Sequence, residues 1–372
     1  MKYDVVIIGG GHNGLTAAAY LAAAGRRVLV LERRQVVGGA AVTEEVFKGF
    51  HFSVCSYVVS LLRPEIIREL DLPRHGLRIL PLDGTFTPMP DGNHLWRVDD
   101  HAQTYRAIAR HSRADADAYE KYGRAMVDMG RFVRPILGLT PADPLSLHPR
   151  DLRQLAFLLK QFQALSLEDR YNQIQLMTMS AADFLDQWFE TDVLKATMSA
   201  SGIIGTFLGI RSPGTAYVLL HHYMGEIDGV FRSWGLAQGG TGAISNAIAA
   251  AARERGVEIR TDTTVSAIRV RHQQTTGVVL ANGDEIEADI VSSSVDPRIT
   301  FMRMLGEEHL PPEFVEGVSR YKFRGSSGKV NMALDGLPDF TCLPGEGHHL
   351  RGAISISPNT NPPSRTSRRV IG

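Results

Sequence analysis

The chain has 372 residues and equal numbers of basic and acidic side chains, 40 Lys and Arg against 40 Asp and Glu, so its formal net charge is zero. That balance argues against a nucleic-acid-binding protein, which usually carries a basic excess. Two cysteines exclude a disulfide framework or a zinc knuckle and favour a reducing compartment, so we expect a cytoplasmic protein. The 36 glycines exceed the usual share and predict tight turns or close backbone approaches to a ligand.

The N-terminus predicts a buried strand rather than a targeting segment. Residues 5–8 are β-branched and apolar throughout, as in strands that are buried on both faces, and the run is shorter than a secretory h-region. No window holds the roughly 20 apolar residues of a membrane span. Peripheral membrane contact stays open, because residues 155–159 beside Lys160 form either a surface anchor or, as is more usual for such a run, part of the core.

A glycine-rich loop and an alanine-rich helix follow this strand. Gly9, Gly11 and Gly14 occupy the positions of a G-x-G-x-x-G motif, and residues 15–24 predict a helix that Gly25 ends. In this motif the first glycine permits a tight turn, the second lets the backbone approach a pyrophosphate, and the third lets the helix pack on the strand. The amides at the start of the helix attract phosphate. The segment therefore predicts a dinucleotide site.

An acidic residue ends the next strand and narrows the choice of dinucleotide. Residues 28–31 predict a second buried strand, and Glu32 follows at the distance where an acid accepts hydrogen bonds from ribose hydroxyls. Its charge disfavours the 2′-phosphate of NADP, whereas FAD and NAD both stay open. We add Asn13 and Arg33 to the predicted cofactor-binding residues.

A second glycine pair supplies a resemblance to a known family. Gly38 and Gly39 follow a Glu-Arg pair after the second strand, and this arrangement resembles the FAD-dependent amine oxidase and phytoene desaturase superfamily. The resemblance implies that this loop wraps the dinucleotide and that FAD is the cofactor. The residue after the pair is usually an arginine that contacts phosphate; here it is Ala40, which we keep among the predicted cofactor-binding residues.

Further segments resemble one subgroup, the pyridine nucleotide-disulfide oxidoreductase domain-containing protein 2 group. The resemblance implies an FAD-dependent oxidoreductase whose natural substrate is poorly defined. The segments that carry it beyond the glycine pairs include Phe52-Ser53, Ser56-Tyr57, residues 60–64, His75-Gly76-Leu77, residues 86–89, Pro213-Gly214, residues 219–222, Trp234-Gly235 and Gln238-Gly239-Gly240.

The second half of the dinucleotide domain is predicted far along the chain. Glycines at 239–242 open a helix, residues 265–270 and 277–280 predict paired strands, and Asn282-Gly283 is a strong turn signal. The resemblance implies that a strand here lays its backbone against the adenine, with Val265 as the candidate. The predicted fold class is α/β, with a Rossmann-like FAD/NAD(P)-binding domain that is split in sequence.

A helix-rich α+β substrate domain is predicted between the two halves. The expected boundaries are residues 1–61 and 226–300 for the FAD-binding parts, 62–225 for the insertion, and 301–372 for a return to the substrate domain. Apolar spacing predicts helices over three ranges of the insertion. These ranges are 107–133, 152–165 and 181–200.

Few residues stand out as catalytic. His221, His222 and Tyr57 are weak candidates, and adjacent histidines alone do not make a metal site, so we predict no metal. Cys55 and Cys342 lack the C-x-x-C spacing of a redox disulfide, and His348-His349 is expected in a surface loop. Hydride from a small organic substrate, apolar or amine-bearing, would pass to the flavin. The substrate, the electron acceptor and the oligomeric state stay open.

Two alternatives to this function remain. One is an NAD-dependent dehydrogenase, and the other is a non-catalytic binding protein similar to Rab escort proteins and GDP dissociation inhibitors. The resemblance also implies a longer chain with another glycine-rich segment near the C-terminus, which residues 359–372, rich in Pro, Ser, Thr and Arg, do not supply. We therefore expect a C-terminally truncated chain in which the flavin ring is exposed or weakly bound.

Overall fold

The computed structural model describes residues 2–325, 327–357 and 359–360, so most of the predicted C-terminal loop lies outside the described residues. The chain divides into two compact units. Unit 1 comprises the chain up to Pro81, Trp234–Phe323 and Gly328–Ala333. Unit 2 comprises Leu82–Ser233 and the described residues of Arg324–Ser327 and of the chain from Leu334. The predicted domain boundaries, and the role of each domain, stay a prediction.

The strands belong to one large sheet and several small ones. In chain order they are β1 (Tyr3–Ile8), β2 (Val28–Leu31), β3 (Thr43–Phe47), β4 (Phe50–Ser53), β5 (Ile79–Pro81), β6 (Thr85–Pro88), β7 (His94–Arg97), β8 (Glu226–Ile227), β9 (Val230–Phe231), β10 (Gly235–Ala237), β11 (Glu258–Arg260), β12 (Val265–Arg271), β13 (Gln274–Leu280), β14 (Glu285–Ser293) and β15 (Ala353–Ile354).

The helices lie mostly between Pro64 and Tyr223. In chain order they are α1 (His12–Ala23), α2 (Pro64–Glu69), α3 (His101–Ala109), α4 (Arg113–Val133), α5 (Pro149–Ala164), α6 (Leu167–Thr178), α7 (Ala181–Asp186), α8 (Asp192–Ser199), α9 (Thr215–Tyr223), α10 (Gly242–Glu254) and α11 (Pro312–Ser319). A π-helix covers Arg298–Leu305, and short 3₁₀ turns cover Ile136–Gly138, Ala200–Gly202, Glu307–His309 and His348–Leu350.

A six-stranded sheet organises unit 1. Its order is β11-β2-β1-β14-β13-β12; the first four strands are parallel and the last two add antiparallel pairs. The predicted turn at Asn282-Gly283 joins β13 to β14, as expected. β1 and β2 come from the N-terminal segment, whereas β11 to β14 follow Leu82–Ser233 of unit 2 in sequence. This split Rossmann-like arrangement confirms the predicted α/β class.

The two faces of β1 are buried against different elements because its side chains alternate. Val5 and Ile7 share one apolar cluster with residues of α1 and α10. Val6 and Ile8 share another with the antiparallel strands, including Val265 of β12. These four side chains are at most 3% exposed, which explains why this part of the strand lacks a polar face. The start of α1 is thereby fixed directly above the end of β1.

Unit 2 is the helix-rich α+β part of the fold, with a small β15-β6-β7 sheet. Two of its predicted helices are interrupted. The first breaks between Ala109 and Arg113, where the Ser112 side chain caps α4 by accepting the Asp115 N–H at 3.1 Å. The helix predicted over 181–200 breaks between α7 and α8. Apolar spacing did not reveal these breaks because the apolar side chains on both sides of each gap enter one core.

Two further expectations need correction. Residues 155–159 are not core: no residue of α5 is buried, and Phe157 and Leu159 are exposed. His349 is not in an exposed loop, because its ring packs 4.9 Å from that of Phe86 and the residue is buried. Among the described residues no helix is both long and apolar enough to cross a membrane.

A buried carboxylate in unit 2 gives a first stability prediction. Asp115 is 1% exposed and accepts the N–H groups of Glu190 at 2.7 Å and Thr191 at 3.0 Å, so it ties α4 to the start of α8. Asp115→Ala leaves both N–H donors without this acceptor and should lower the free energy of unfolding by about 3 kcal/mol. Chemical denaturation followed by tryptophan fluorescence measures this. The matched control is Asp117→Ala, an exposed position two residues on; equal midpoints for both variants would contradict the prediction.

Candidate cofactor-binding site

The two glycine loops of unit 1 lie against each other. Gly9 adopts a φ of +96°, which permits the turn from β1 into α1. The Gly38 N–H donates to the Gly10 carbonyl at 2.8 Å, and a Cβ on Gly39 would lie 3.2 Å from the Gly11 Cα. A side chain at Gly39 would therefore crowd the backbone of the first loop.

The start of α1 is suited to an anion. Gly11 is its N-cap and no side chain caps the helix. The first hydrogen bond of the helix ladder runs from the Leu15 N–H to the Gly11 carbonyl at 2.9 Å, so the amides of Asn13 and Gly14 come before that ladder. Asn13 itself is exposed in this first turn. Helix amides and the helix dipole together favour phosphate at such a position.

Glu32 is held at the end of β2 by backbone amides. Its carboxylate accepts the Gly10 N–H at 2.7 Å and the Arg34 N–H at 3.0 Å, and the residue is only 6% exposed. A carboxylate offers about four lone-pair sites, so two remain for ribose hydroxyls. Arg33 is exposed beside it, whereas Arg34 forms an ion pair with Glu44.

The segment before Val265 runs alongside this acid. The Asp262 N–H donates to the Arg34 carbonyl and the Thr263 N–H to the Glu32 carbonyl, both at 2.9 Å. Val265 then begins β12 and is buried. The fold thus brings together four separate predicted segments, namely both glycine loops, the acid and the start of β12. Ala40, the departure from the usual arginine, is exposed, and its carbonyl accepts the Ser56 N–H at 3.2 Å.

The weak catalytic candidates lie elsewhere. His221 and His222 belong to α9 in unit 2, where the His222 Nδ1 donates to the Val218 carbonyl at 2.9 Å. Burial lowers the pKa of both histidines, so each favours its neutral form. Tyr57, in unit 1, is exposed, with the Lys329 ammonium 5.3 Å from its ring centroid. A catalytic role for any of the three stays a prediction.

Sequence reasoning missed two side chains that support the glycine loops. Ser294 donates its hydroxyl to the Gly9 carbonyl at 2.9 Å, and a Cβ on Gly14 would lie 2.7 Å from that hydroxyl. Thr43 accepts the Gly242 N–H at 3.0 Å and donates to the Gly239 carbonyl at 3.1 Å. Gly240 and Gly242 therefore serve packing against Thr43, and a Cβ on Gly242 would lie 2.5 Å from the Thr43 nitrogen. Neither contact has a local sequence signal, since the partners are far apart in the chain.

Neither a redox disulfide nor a metal site is found among the described residues. Cys55 and Cys342 are free thiols. Across the part of the chain that the structure describes, no group of three or more His, Cys, Asp or Glu side chains has the arrangement of a metal site. What the geometry supports is the glycine-lined cradle in unit 1, whose uncapped helix start and remaining carboxylate lone pairs fit a dinucleotide.

Comparison with known proteins identifies the family of the chain. A family model described as flavin containing amine oxidoreductase matches residues 14–368. Pyridine nucleotide-disulfide oxidoreductase domain-containing protein 2 of Rattus norvegicus is 38% identical over 358 residues, covering 92% of this chain and 62% of that protein. The Mus musculus protein is 38% identical over 369 residues, covering 94% of this chain and 64% of the relative. The chain therefore spans about three fifths of the length of these relatives.

Solved structures support the fold alone. A mutant putrescine oxidase matches with a TM-score of 0.55 at 18% identity, covering 86% of this chain and 63% of that one. An oxidoreductase from Methanosarcina mazei matches with a TM-score of 0.51 at 17% identity, covering 86% and 64%. The resemblance inferred from the glycine loops is confirmed by the family model and by the relatives. The chain belongs to the flavin-containing amine oxidoreductase family, and its dinucleotide is FAD.

Proposed function

We propose that this chain is an FAD-dependent oxidoreductase that transfers hydride from a small organic molecule, apolar or amine-bearing, to the flavin. The observation that carries the proposal is the cradle of two glycine loops beside the Glu32 carboxylate. FAD, when bound, supplies a two-electron acceptor for the substrate hydride.

The chain's own residues bind and orient that cofactor. The backbone at Gly11 and the amides at the start of α1 would hold the pyrophosphate, and Glu32 would accept the ribose hydroxyls. The backbone at Val265 would lie against the adenine. In unit 2, His221 and His222 favour their neutral form and remain the candidates for accepting a substrate proton. Tyr57 of unit 1 remains a weak candidate for a role near the cofactor.

The decisive experiment is the absorption spectrum of the purified chain, followed by cofactor extraction and anaerobic mixing with candidate amines. A yellow protein that is bleached by an amine supports the proposal. A colourless protein that binds NAD favours the dehydrogenase alternative. A protein that takes up no flavin under saturating FAD yet binds a protein partner favours the escort-protein alternative.

Replacement of the acid tests the predicted ribose contact. Glu32→Gln keeps the size of the side chain but replaces the ionised carboxylate by a neutral amide. The amide has one acceptor oxygen where the carboxylate has two, and the Gly10 N–H still needs an acceptor. We expect the affinity for FAD to fall roughly 10- to 100-fold. Fluorescence titration of the apoprotein with FAD measures this. Glu313→Gln, an exposed position at the start of α11, is the control, and similar affinities for the two variants would refute the ribose contact.

A further inference from the structure

Two arginines of unit 2 share one buried phenol. The Tyr119 hydroxyl oxygen lies 3.0 Å from Nη2 of Arg232 and 3.5 Å from Nη1 of Arg97, and the tyrosine is 8% exposed. The Arg232 guanidinium also lies 4.7 Å from the ring centroid of Tyr223. The three groups come from α4, β7 and the segment after β9, so the cluster is built by the fold and not by a local motif.

Neither guanidinium has a carboxylate partner. Over the described ranges of the chain, no Asp or Glu oxygen lies within 4.0 Å of Arg97 or Arg232, although 17 other ion pairs occur. The Arg97 Nε is buried and has no hydrogen-bond partner. Burial of a charge is costly unless the charge is paired, so two cations around one neutral oxygen leave positive charge uncompensated.

The Tyr119 phenol does not offset the charges of the two arginines at neutral pH. Burial raises the pKa of Tyr119, but the charges of Arg97 and Arg232 outweigh this effect and lower the pKa to about 8. Burial raises the pKa of the other two phenols of the cluster, Tyr122 and Tyr223, so they stay neutral as well. Near pH 7 the cluster therefore carries two positive charges and no full negative one.

A cavity of about 410 Å³ opens onto this cluster. Tyr119 and Arg232 line it, together with the adjacent face of α4 and His101 of α3. Its volume is in the range of small-molecule sites. Gly123 lies beside the arginine, and a Cβ there would be in ordinary contact with the Arg232 Nη1, at 3.5 Å.

The acids on the cavity wall are already paired with wall cations. Glu120 accepts from Arg124 and lies 3.5 Å from the His101 Nε2. Asp128 lies 3.8 Å from Arg131. Of the arginines that line the cavity, Arg232 is thus the one whose charge no wall carboxylate offsets.

We propose that this cavity binds a small organic oxyanion, a carboxylate or a phosphate monoester, through the guanidinium of Arg232, with the Tyr119 hydroxyl as a second donor. A planar guanidinium matches both oxyanions by paired N–H donors. The aromatic ring of Tyr119 and the side chain of Val127 give an apolar wall for the organic part. The proposal goes beyond the oxidoreductase function and does not depend on it.

The test uses the full chain with benzoate, phenyl phosphate and benzylamine as probes, and thermal unfolding as the readout. We expect benzoate or phenyl phosphate to raise the unfolding temperature of the protein in a saturable way. The probe that binds more tightly shows whether the site prefers a carboxylate or a phosphate monoester. Arg232→Gln should weaken that binding at least about tenfold, whereas Arg320→Gln, at an exposed arginine that is paired with Glu316 and does not line the cavity, should change it less than about threefold. Equal stabilisation by benzylamine, undiminished binding in Arg232→Gln, or equal losses in both variants would overturn the proposal.

A second readout needs no variant at the arginine. Bound oxyanion brings negative charge to Tyr119 and should raise the pKa of its phenol from about 8. Spectrophotometric pH titration of tyrosinate, with Tyr119→Phe used to assign the early-titrating group, measures this shift. An unchanged titration curve at a saturating probe concentration would overturn the proposal even if Arg232→Gln failed to fold.

Discussion

Gly11→Ala is expected to lower the affinity for FAD by roughly 100-fold or more while the apoprotein keeps its stability to within about 1 kcal/mol. Gly11 already has an ordinary extended conformation, with φ of −69° and ψ of 164°. A Cβ at this position would meet only the Gly39 Cα, at the ordinary distance of 3.8 Å. The fold without cofactor therefore tolerates alanine here.

The loss should fall on the ligand because the added methyl projects from the loop at the uncapped start of α1. Backbone amides can hold a pyrophosphate only where no side chain keeps it away. Fluorescence titration with FAD measures the affinity, and thermal unfolding of the apoprotein measures its stability. Gly317→Ala in α11, where a Cβ meets nothing within 4 Å, is the control for a glycine replacement. If the Gly11 variant bound FAD with the affinity of the unmodified chain, the pyrophosphate would not lie at Gly11.

The cofactor cradle was predictable because its signals are local. Gly9, Gly11 and Gly14 fall within six residues, and a strand, a helix, a second strand and Glu32 follow in order. Each of these features has its own physical reason, so their agreement along one short segment identifies a dinucleotide loop. In the structure the loop and the acid are in contact through the Gly10 N–H.

The Arg97, Tyr119 and Arg232 cluster could not be predicted in the same way. These residues are 22 and 113 positions apart along the chain, and arginine or tyrosine at such separations has no characteristic spacing. The burial of His349 was unpredictable for the same reason, because it depends on a ring contact with Phe86, which is distant in sequence. The break between α3 and α4 depends on a side-chain cap at Ser112, which competes with apolar spacing that continues across it.

Gly14→Ala should destabilise the protein itself, by about 3 kcal/mol, whether or not FAD is present. A Cβ at this position would lie 2.5 Å from the Gly9 carbonyl oxygen and 2.7 Å from the Ser294 hydroxyl. Both atoms are fixed, because the Ser294 hydroxyl donates to that carbonyl at 2.9 Å and the Ser294 N–H donates to the Ile8 carbonyl. The start of α1 has to move away from the sheet, and overpacking of this kind typically costs 1–3 kcal/mol or more.

The measurement is chemical denaturation of the apoprotein, in which Gly14→Ala and Gly11→Ala should separate clearly although both belong to one motif. Combining Gly14→Ala with Ser294→Ala removes the hydroxyl clash but leaves the carbonyl in place, so we expect only a partial recovery, of about 1 kcal/mol. Gly317→Ala should be neutral or stabilising, since alanine favours the helix interior more than glycine does. Equal apoprotein stability of the Gly14 and Gly11 variants would mean that the close approach of α1 to Ser294 does not hold the fold together, and that the two glycines serve the cofactor alike.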